Sequence, residues 1–344
     1  MPAVVEANGD GLLKYLPVAA DVALLRGTVA DSAGNISLED EALVADVFAQ
    51  ASHCHCRGGK VYVQVLRMSE KPLTAVDIPA SLVDGIVLAT AEQHWQTFAS
   101  PETSPSLRRP ATCKAEATWP ALAAGWRRAV ASRAALELRT GEVCNLGLGA
   151  PEKVAQVLDE AGLLSGFTLS TEAGTIGGRP ASGLLFGAAD HPDMVVPTHT
   201  MFDLYDQGFL DVTVLGMGQV DRHSVNVGRF QGRFPGVGGF PNIAIAAKRL
   251  VMFVGRHRAD DASPKFVEEV ESISVCLEEI KAPRILIITE VCVLEWRKGG
   301  NVKLLEIAPG ATAESVASTI PWEVETDGCV EIAAEVFSVP FAPQ

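Results

Sequence analysis

The residues best placed to do chemistry lie in one run from Thr168 to Gly178, Thr-Leu-Ser-Thr-Glu-Ala-Gly-Thr-Ile-Gly-Gly. Glu172 follows an alternating, strand-like stretch (Phe167, Leu169, Thr171), and Gly174, Gly177 and Gly178 come directly after it. Glycine tolerates positive φ and close backbone approach, so the chain can turn away beneath the acid. A carboxylate at a strand end with bare amides nearby can act as a covalent nucleophile. The same types also describe a surface glutamate in a glycine-rich turn, and spacing alone favours that plainer description.

Two further glycine clusters are candidates. Gly147-Leu148-Gly149-Ala150-Pro151 stands at a predicted strand-to-helix junction, where first-turn amides and the helix dipole favour an anion. It is not a dinucleotide fingerprint, because Glu152 occupies the sixth position, and a purely structural turn competes with the anion reading. Gly236-Val237-Gly238-Gly239-Phe240 precedes a predicted helix and by itself reads as a tight turn. His53-Cys54-His55-Cys56 lacks a second cluster at zinc-like spacing and falls at a helix end, so no metal is expected. There is no G-x-S-x-G elbow, H-E-x-x-H pair or Walker loop, and Glu172 has no acidic companion in sequence.

Short apolar runs bounded by turn residues predict the strands that hold these groups: 21–25, 61–66, 85–89, 142–146, 210–215, 250–254 and 284–289. The runs 291–296 and 302–307 predict a hairpin around Lys298-Gly299-Gly300. Helical spacing is predicted over 41–50, 126–138, 152–161 and 243–248, with an amphipathic stretch over 266–273 and a loop through His191, Pro192 and Pro197. Residues 100–120 collect Pro101, Pro105, Pro110 and Pro120 and predict a linker between domains 1–99 and 121–344.

A chain of 344 residues with 48% apolar content, 31 Gly and 20 Pro suits a compact α/β enzyme of about two domains. A net charge of −14 argues against nucleic acid or an anionic membrane as partner, though not against a locally bound phosphate. Seven cysteines, several within apolar runs, predict reduced core thiols. No basic-then-apolar leader and no membrane-length apolar run is present, so a soluble, cytoplasmic protein is expected.

The chain also contains an internal echo. Asp21-Val22 and Asp31 are ten residues apart, as are Asp211-Val212 and Asp221; each second Asp precedes an Asn and a branched apolar residue, Asn35-Ile36 and Asn226-Val227. Each block then reaches a Lys that opens a strand, Lys60 and Lys248. This predicts two copies of one α/β unit. The first copy lacks room for the strands and helix that precede Asp211 in the second, so apolar faces and edge amides are expected to be open unless another segment or chain supplies that half.

Taken together, several runs resemble the family I coenzyme A transferases, most of all the fused acetate or propionate enzymes. They are Glu172–Gly178, Gly183-Leu184-Leu185-Phe186-Gly187-Ala188, Phe202-Asp203-Leu204-Tyr205-Asp206, Leu215–Asp221, Val225-Asn226-Val227 with Arg229-Phe230, Gly238-Gly239-Phe240 and Ala247-Lys248. Asn145–Pro151 fits the family's N-L-G-x-G-x-P turn and Ile307-Ala308-Pro309-Gly310 its C-terminal signature, while Asp21–Asn35 and His94–Phe98 resemble the later part of its first domain. The resemblance implies two tandem homologous α/β domains with mainly parallel sheets, the first incomplete. It implies that CoA moves between a short-chain acyl-CoA and a carboxylate such as acetate or propionate through a glutamyl–CoA thioester on Glu172. In that scheme Gly238 and Gly239 supply oxyanion amides, Asn145, Gly147 and Gly149 form the CoA-binding turn under the glutamate, orienting it or donating to the carbonyl oxygen, and Lys248 contacts a CoA phosphate. No permanently bound cofactor is implied, since CoA is a substrate, and a homo-oligomer or a complementing chain is expected. An acyl-CoA hydrolase, in which water replaces the acceptor, and an inactive truncated form are the alternatives.

Overall fold

The computed structural model describes residues 4–7, 12–15, 17–97, 103–107, 119–259, 263–333 and 336. The chain divides into two compact units, Met1–Pro105 and Ser106–Gln344. Most of the predicted linker, 100–120, lies outside the described residues. Among those described, no helix is long and apolar enough to cross a membrane, and no three His, Cys, Asp or Glu side chains converge as a metal site.

The first unit opens with an antiparallel pair, β1 (Val4–Ala7) and β2 (Leu12–Tyr15). There follow β3 (Val22–Arg26), β4 (Val29–Asp31), β5 (Ile36–Ser37), α1 (Val47–Cys56), β6 (Lys60–Val65), β7 (Arg67–Ser69) and β8 (Gly85–Leu88). Strands β3, β6 and β8 form a parallel sheet in that order. Leu25, Val61, Val63 and Val65 point to one face and are buried. The opposite face presents Val22, Leu24, Tyr62 and Val87, of which Leu24 is 80% exposed. Helix α1 starts later than predicted because Glu41 is otherwise engaged. Its buried carboxylate accepts from Arg26 Nε (2.7 Å) and Thr28 Oγ1 (3.1 Å) and meets His94 Nε2 (3.1 Å), and Ala45 takes a φ of +46°.

In the second unit, α2 (Trp126–Ala135), β9 (Val143–Leu146), α3 (Lys153–Glu160) and β10 (Thr168–Ser170) lead into β11 (Thr175–Ile176), β12 (Arg179–Pro180), β13 (Ala189–Asp190) and β14 (Met194–Val195). Then come α4 (Thr198–Asp206), β15 (Val212–Gly216), β16 (Gln219–Val220), β17 (Ser224–Asn226), α5 (Phe240–Ala246), β18 (Leu250–Val254) and β19 (Val275–Cys276). The chain finishes with β20 (Arg284–Ile288), β21 (Cys292–Arg297), β22 (Asn301–Ile307), α6 (Ala313–Ala317) and β23 (Val330–Glu331).

A ten-stranded sheet in the order β14-β11-β10-β9-β15-β18-β20-β21-β22-β23 organises this unit. Its centre, β10-β9-β15-β18-β20, is parallel throughout. Those strands are apolar along their length because both faces are covered. Val212, Val214, Leu250, Met252 and Val254 pack with Val130, Ala134, Val154 and Leu158 of α2 and α3. Leu215, Val251 and Phe253 pack instead with Met201 and Tyr205 of α4 and Ile243 and Ala244 of α5. Each such buried side chain contributes roughly 1.5–3 kcal/mol, which makes the centre of the sheet a rigid platform. The fold is α/β with a large, mainly parallel sheet.

The internal echo appears as a shared succession. A strand, an antiparallel arm, a helix and two more parallel strands occur as β3, β4–β5, α1, β6, β8 and as β15, β16–β17, α5, β18, β20. Asp31 and Asp221 play the same local part. Asp31 Oδ1 accepts from the Ala33 and Asn35 amides (3.0 and 2.9 Å), and Asp221 Oδ1 from those of His223 and Ser224 (2.8 and 2.6 Å). Residues 266–273, expected to be amphipathic, form neither helix nor strand; Phe266 bridges to Val220 and Val270 is buried.

Candidate active site

Parallel pairing of β9 with β10 sets Asn145 level with Ser170 at the carboxyl ends of both strands. Beyond Ser170 the chain makes a tight hairpin into β11: Gly174 N donates to Thr171 O (3.0 Å) and Thr171 N to Thr175 O (3.0 Å), leaving Glu172 and Ala173 at the tip. Glu172 is half-buried there. Gly174 has a φ of +121°, and a Cβ on it would lie 2.0 Å from Val196 O, so no other residue fits without moving β14. Thr171 Oγ1 lies 2.7 Å from both Gly187 O and Thr175 Oγ1, which pins the hairpin from below.

Asn145 is fully buried, and its Nδ2 faces three oxygens: Ser170 O at 3.3 Å, Tyr205 OH at 3.3 Å and Glu172 Oε2 at 3.4 Å. Its Oδ1 lies 3.4 Å from Thr213 Oγ1 on the next strand. A carbonyl and a carboxylate can only accept here, so the opposite amide orientation would set oxygen against two oxygens. The geometry therefore aims the Asn145 NH2 group at Glu172. Tyr205, buried on α4, contacts Ser170 Oγ (2.9 Å) as well as Asn145. Burial pushes its phenol up to about 12, against the hydrogen bonds to Ser170 and Asn145 and with help from the Glu172 charge, so it is neutral at physiological pH.

The predicted site residues do not all meet. Asn145 and Glu172 do. Gly147 continues β9, donating its N–H to Val214 O (2.8 Å), and Gly149 turns at a φ of +90° with open space about its α-carbon. Gly238 is exposed at a φ of +53°, and Gly239 immediately precedes α5. Among the described residues no hydrogen bond joins either glycine to Glu172. Lys248 stands apart. It precedes β18 at the amino ends of the strands, whereas Asn145 and Glu172 are at the carboxyl ends, and its Nζ pairs with Asp211 Oδ1 at 2.8 Å. Opening a strand fixes that lysine at the amino end of the sheet's central strands.

Sequence reasoning missed α4 as an element and with it the support from Tyr205. It also gave no part to Ser170 or Thr213. The signal for α4 was present: Pro197 before it, Gly208 after it, and the buried pair Met201 and Tyr205 at i, i+4.

No family model matches the chain. Over 338 residues it is 36% identical to a caffeate CoA-transferase of Acetobacterium woodii, a match covering 89% of this chain and 63% of that protein. It is 32% identical over 330 residues to the acetate CoA-transferase YdiF of Escherichia coli O157:H7, covering 89% of this chain and 61% of the relative. The crystal structure of that YdiF protein as a thioester complex with CoA matches with a TM-score of 0.84 and 28% identity, covering 99% of this chain and 67% of the other. One of the subunits of a 3-oxoadipate CoA-transferase from Pseudomonas knackmussii is 32% identical over 218 residues, 56% of this chain and 80% of that relative. The chain thus spans a little over three fifths of the two long curated relatives it matches.

Proposed function

Because this chain belongs to the family I coenzyme A transferases, we propose that it moves CoA from a short-chain acyl-CoA to a carboxylate such as acetate or propionate, with Glu172 as the group that carries CoA in between. The observation that carries this reading is the Asn145 amide aimed at the Glu172 carboxylate from the next parallel strand. YdiF, which has the same fold, forms a thioester complex with CoA, and that complex supports a covalent route.

The steps balance without a proton donor or acceptor. A Glu172 oxygen attacks the thioester carbonyl, the C–S bond breaks, and CoA leaves as thiolate, giving a mixed anhydride. The thiolate attacks the glutamyl carbonyl and expels the acyl carboxylate, leaving a glutamyl–CoA thioester. An acceptor carboxylate repeats both steps in reverse. A carboxylate is a weak nucleophile, so the barrier is lowered mainly by donors aimed at the tetrahedral oxyanions. Asn145 Nδ2 and the amides of Gly238 and Gly239 are the donors proposed for that task. Gly147 and Gly149 shape the turn beside them. Tyr205, neutral and buried, holds Asn145 without exchanging a proton. CoA enters as substrate, so no resident cofactor is needed, and the protein acts where CoA is found, in the cytoplasm. The open face of the β3-β6-β8 sheet is the proposed seat of a further α/β segment, from this protein or a complementing chain, in the complete enzyme.

The test is intact mass after incubation of the chain with acyl-CoA, alongside Glu172→Gln. A CoA-sized increase on the unaltered chain and none on the variant supports the reading. Equal labelling of both, or no labelling of either, removes it.

A further inference from the structure

Gly238 and Gly239 are glycines for different reasons. Gly238 has a φ of +53°, a left-handed conformation, and open space around its α-carbon. Gly239 has φ −80° and ψ −2°, values that any residue adopts. A side chain at Gly239 would have to displace the Phe202 ring: a Cβ there would lie 2.8 Å from Phe202 Cζ and 3.3 Å from its Cε1, with Ile243 Cδ1 also at 3.3 Å. The Phe202 ring thus bears directly on the backbone that starts α5. Three residues along the same helix is Tyr205, its ring edge-on to that of Phe202 with centroids 6.2 Å apart. The Tyr205 hydroxyl is the one that meets Asn145 Nδ2 and Ser170 Oγ beneath Glu172.

We propose that α4 is a strut between the two halves of the site, with Phe202 fixing the Gly238–Gly239 amides and Tyr205 fixing Asn145 beside Glu172. Both are positioning residues, and the proposal rests on the reading of Glu172 as the CoA-carrying group. Neither ring touches reacting atoms. The separation of nucleophile and oxyanion donors is set by two rings in mutual contact on one helix, so a shift of either moves the donors relative to the acid. Misplacement by about 1 Å costs on the order of 100-fold in rate.

The experiment compares Gly239→Ala, Phe202→Leu, their double variant and Tyr205→Phe in the full chain. It follows the rate of CoA adduct formation at saturating acyl-CoA and the half-saturating concentration. Gly239→Ala is expected to slow the reaction about 100-fold, with half-saturation little changed. In the double variant, where the smaller side chain makes room, the rate should return to within about threefold of Phe202→Leu alone. Tyr205→Phe keeps the ring contact and removes the hydroxyl, so the rate falls about tenfold at unchanged half-saturation. A double variant as slow as Gly239→Ala, or a Gly239→Ala as fast as the unaltered chain, overturns the part played by Phe202. An unslowed Tyr205→Phe overturns that of Tyr205, and it remains readable if Gly239→Ala does not fold. Labelling of Glu172→Gln would instead sink the functional reading, whatever the strut variants do.

Discussion

The Asn145 carboxamide nitrogen and the Glu172 carboxylate stand 3.4 Å apart across neighbouring parallel strands, and the Ser170 carbonyl leaves the amide no other orientation. Asn145→Asp keeps the shape and replaces a donor by a second acceptor. It should lower the rate of adduct formation by about 100- to 1,000-fold, the usual effect of losing an oxyanion donor. It should also lower the melting temperature, because a buried carboxylate would face both a carbonyl and Glu172. Single-turnover CoA release together with a thermal melt checks this, and a rate within threefold of the parent contradicts it.

Gly174 tests the hairpin itself. Its φ of +121° and the 2.0 Å approach of Val196 O to a virtual Cβ leave Gly174→Ala no room without displacing β14. The expected stability loss is on the order of 1–3 kcal/mol, with adduct formation slowed because Glu172 is two residues away. Urea unfolding gives the first quantity and mass labelling the second. A variant as stable as its parent would mean that the strand pairing yields easily.

Lys248 and Asp211 form an ion pair remote from Glu172, so Lys248→Ala should leave half-saturation by acyl-CoA unchanged. Burial alone would raise the Asp211 carboxyl, but hydrogen bonds from Lys248 and the Val143 amide, with the nearby cationic charge, hold it below its ordinary value. A lowered folded-state value means the contribution is present at neutral pH and lost as pH falls through that value. For a pair this exposed the contribution is roughly 0.2–1 kcal/mol. Unfolding curves at neutral and strongly acidic pH should therefore converge for the parent and Lys248→Ala at the acid end. A weakened affinity for acyl-CoA would return Lys248 to the binding site.

The sequence was most informative where burial is two-sided. The runs at 212–216, 250–254 and 284–288 are apolar at nearly every position, which only a covered parallel strand tolerates, and the structure makes them the sheet's centre. The close pairing of Asn145 with Glu172 was expected from the family resemblance, not from spacing, because strand register brings together residues far apart in the chain. Helix α4 carried a short signal, Pro197 before it, Gly208 after it and the i, i+4 pair Met201 and Tyr205, but with only those two residues buried along it the period is brief. Lys248 belongs to the family pattern in sequence, while its own backbone opens β18 at the amino end of the central strands, where it pairs with Asp211.

His257 predicts a second pH effect, unconnected with catalysis. Burial, aided by the Arg258 charge, lowers its imidazole to about 4, and the ring lies between Thr289 Oγ1 (3.3 Å) and Thr319 Oγ1 (2.7 Å) beside Phe266. The unfolded chain binds this proton near the ordinary histidine value of about 6.5. Protonation therefore favours unfolding, and stability declines from about pH 6.5 down towards 4, by up to roughly 3 kcal/mol. His257→Gln should flatten this stretch of the stability–pH curve while lowering its plateau. An unaltered slope in urea titrations between pH 7 and 5 would contradict it.

The β3-β6-β8 sheet has a practical consequence. A face carrying Val22, Leu24, Tyr62 and Val87 in water, beside the edge strand β3, is adhesive towards other strands. Concentrated preparations of this chain are expected to associate through residues 22–26, and polar substitutions on that face should lower the light scattering that reports it.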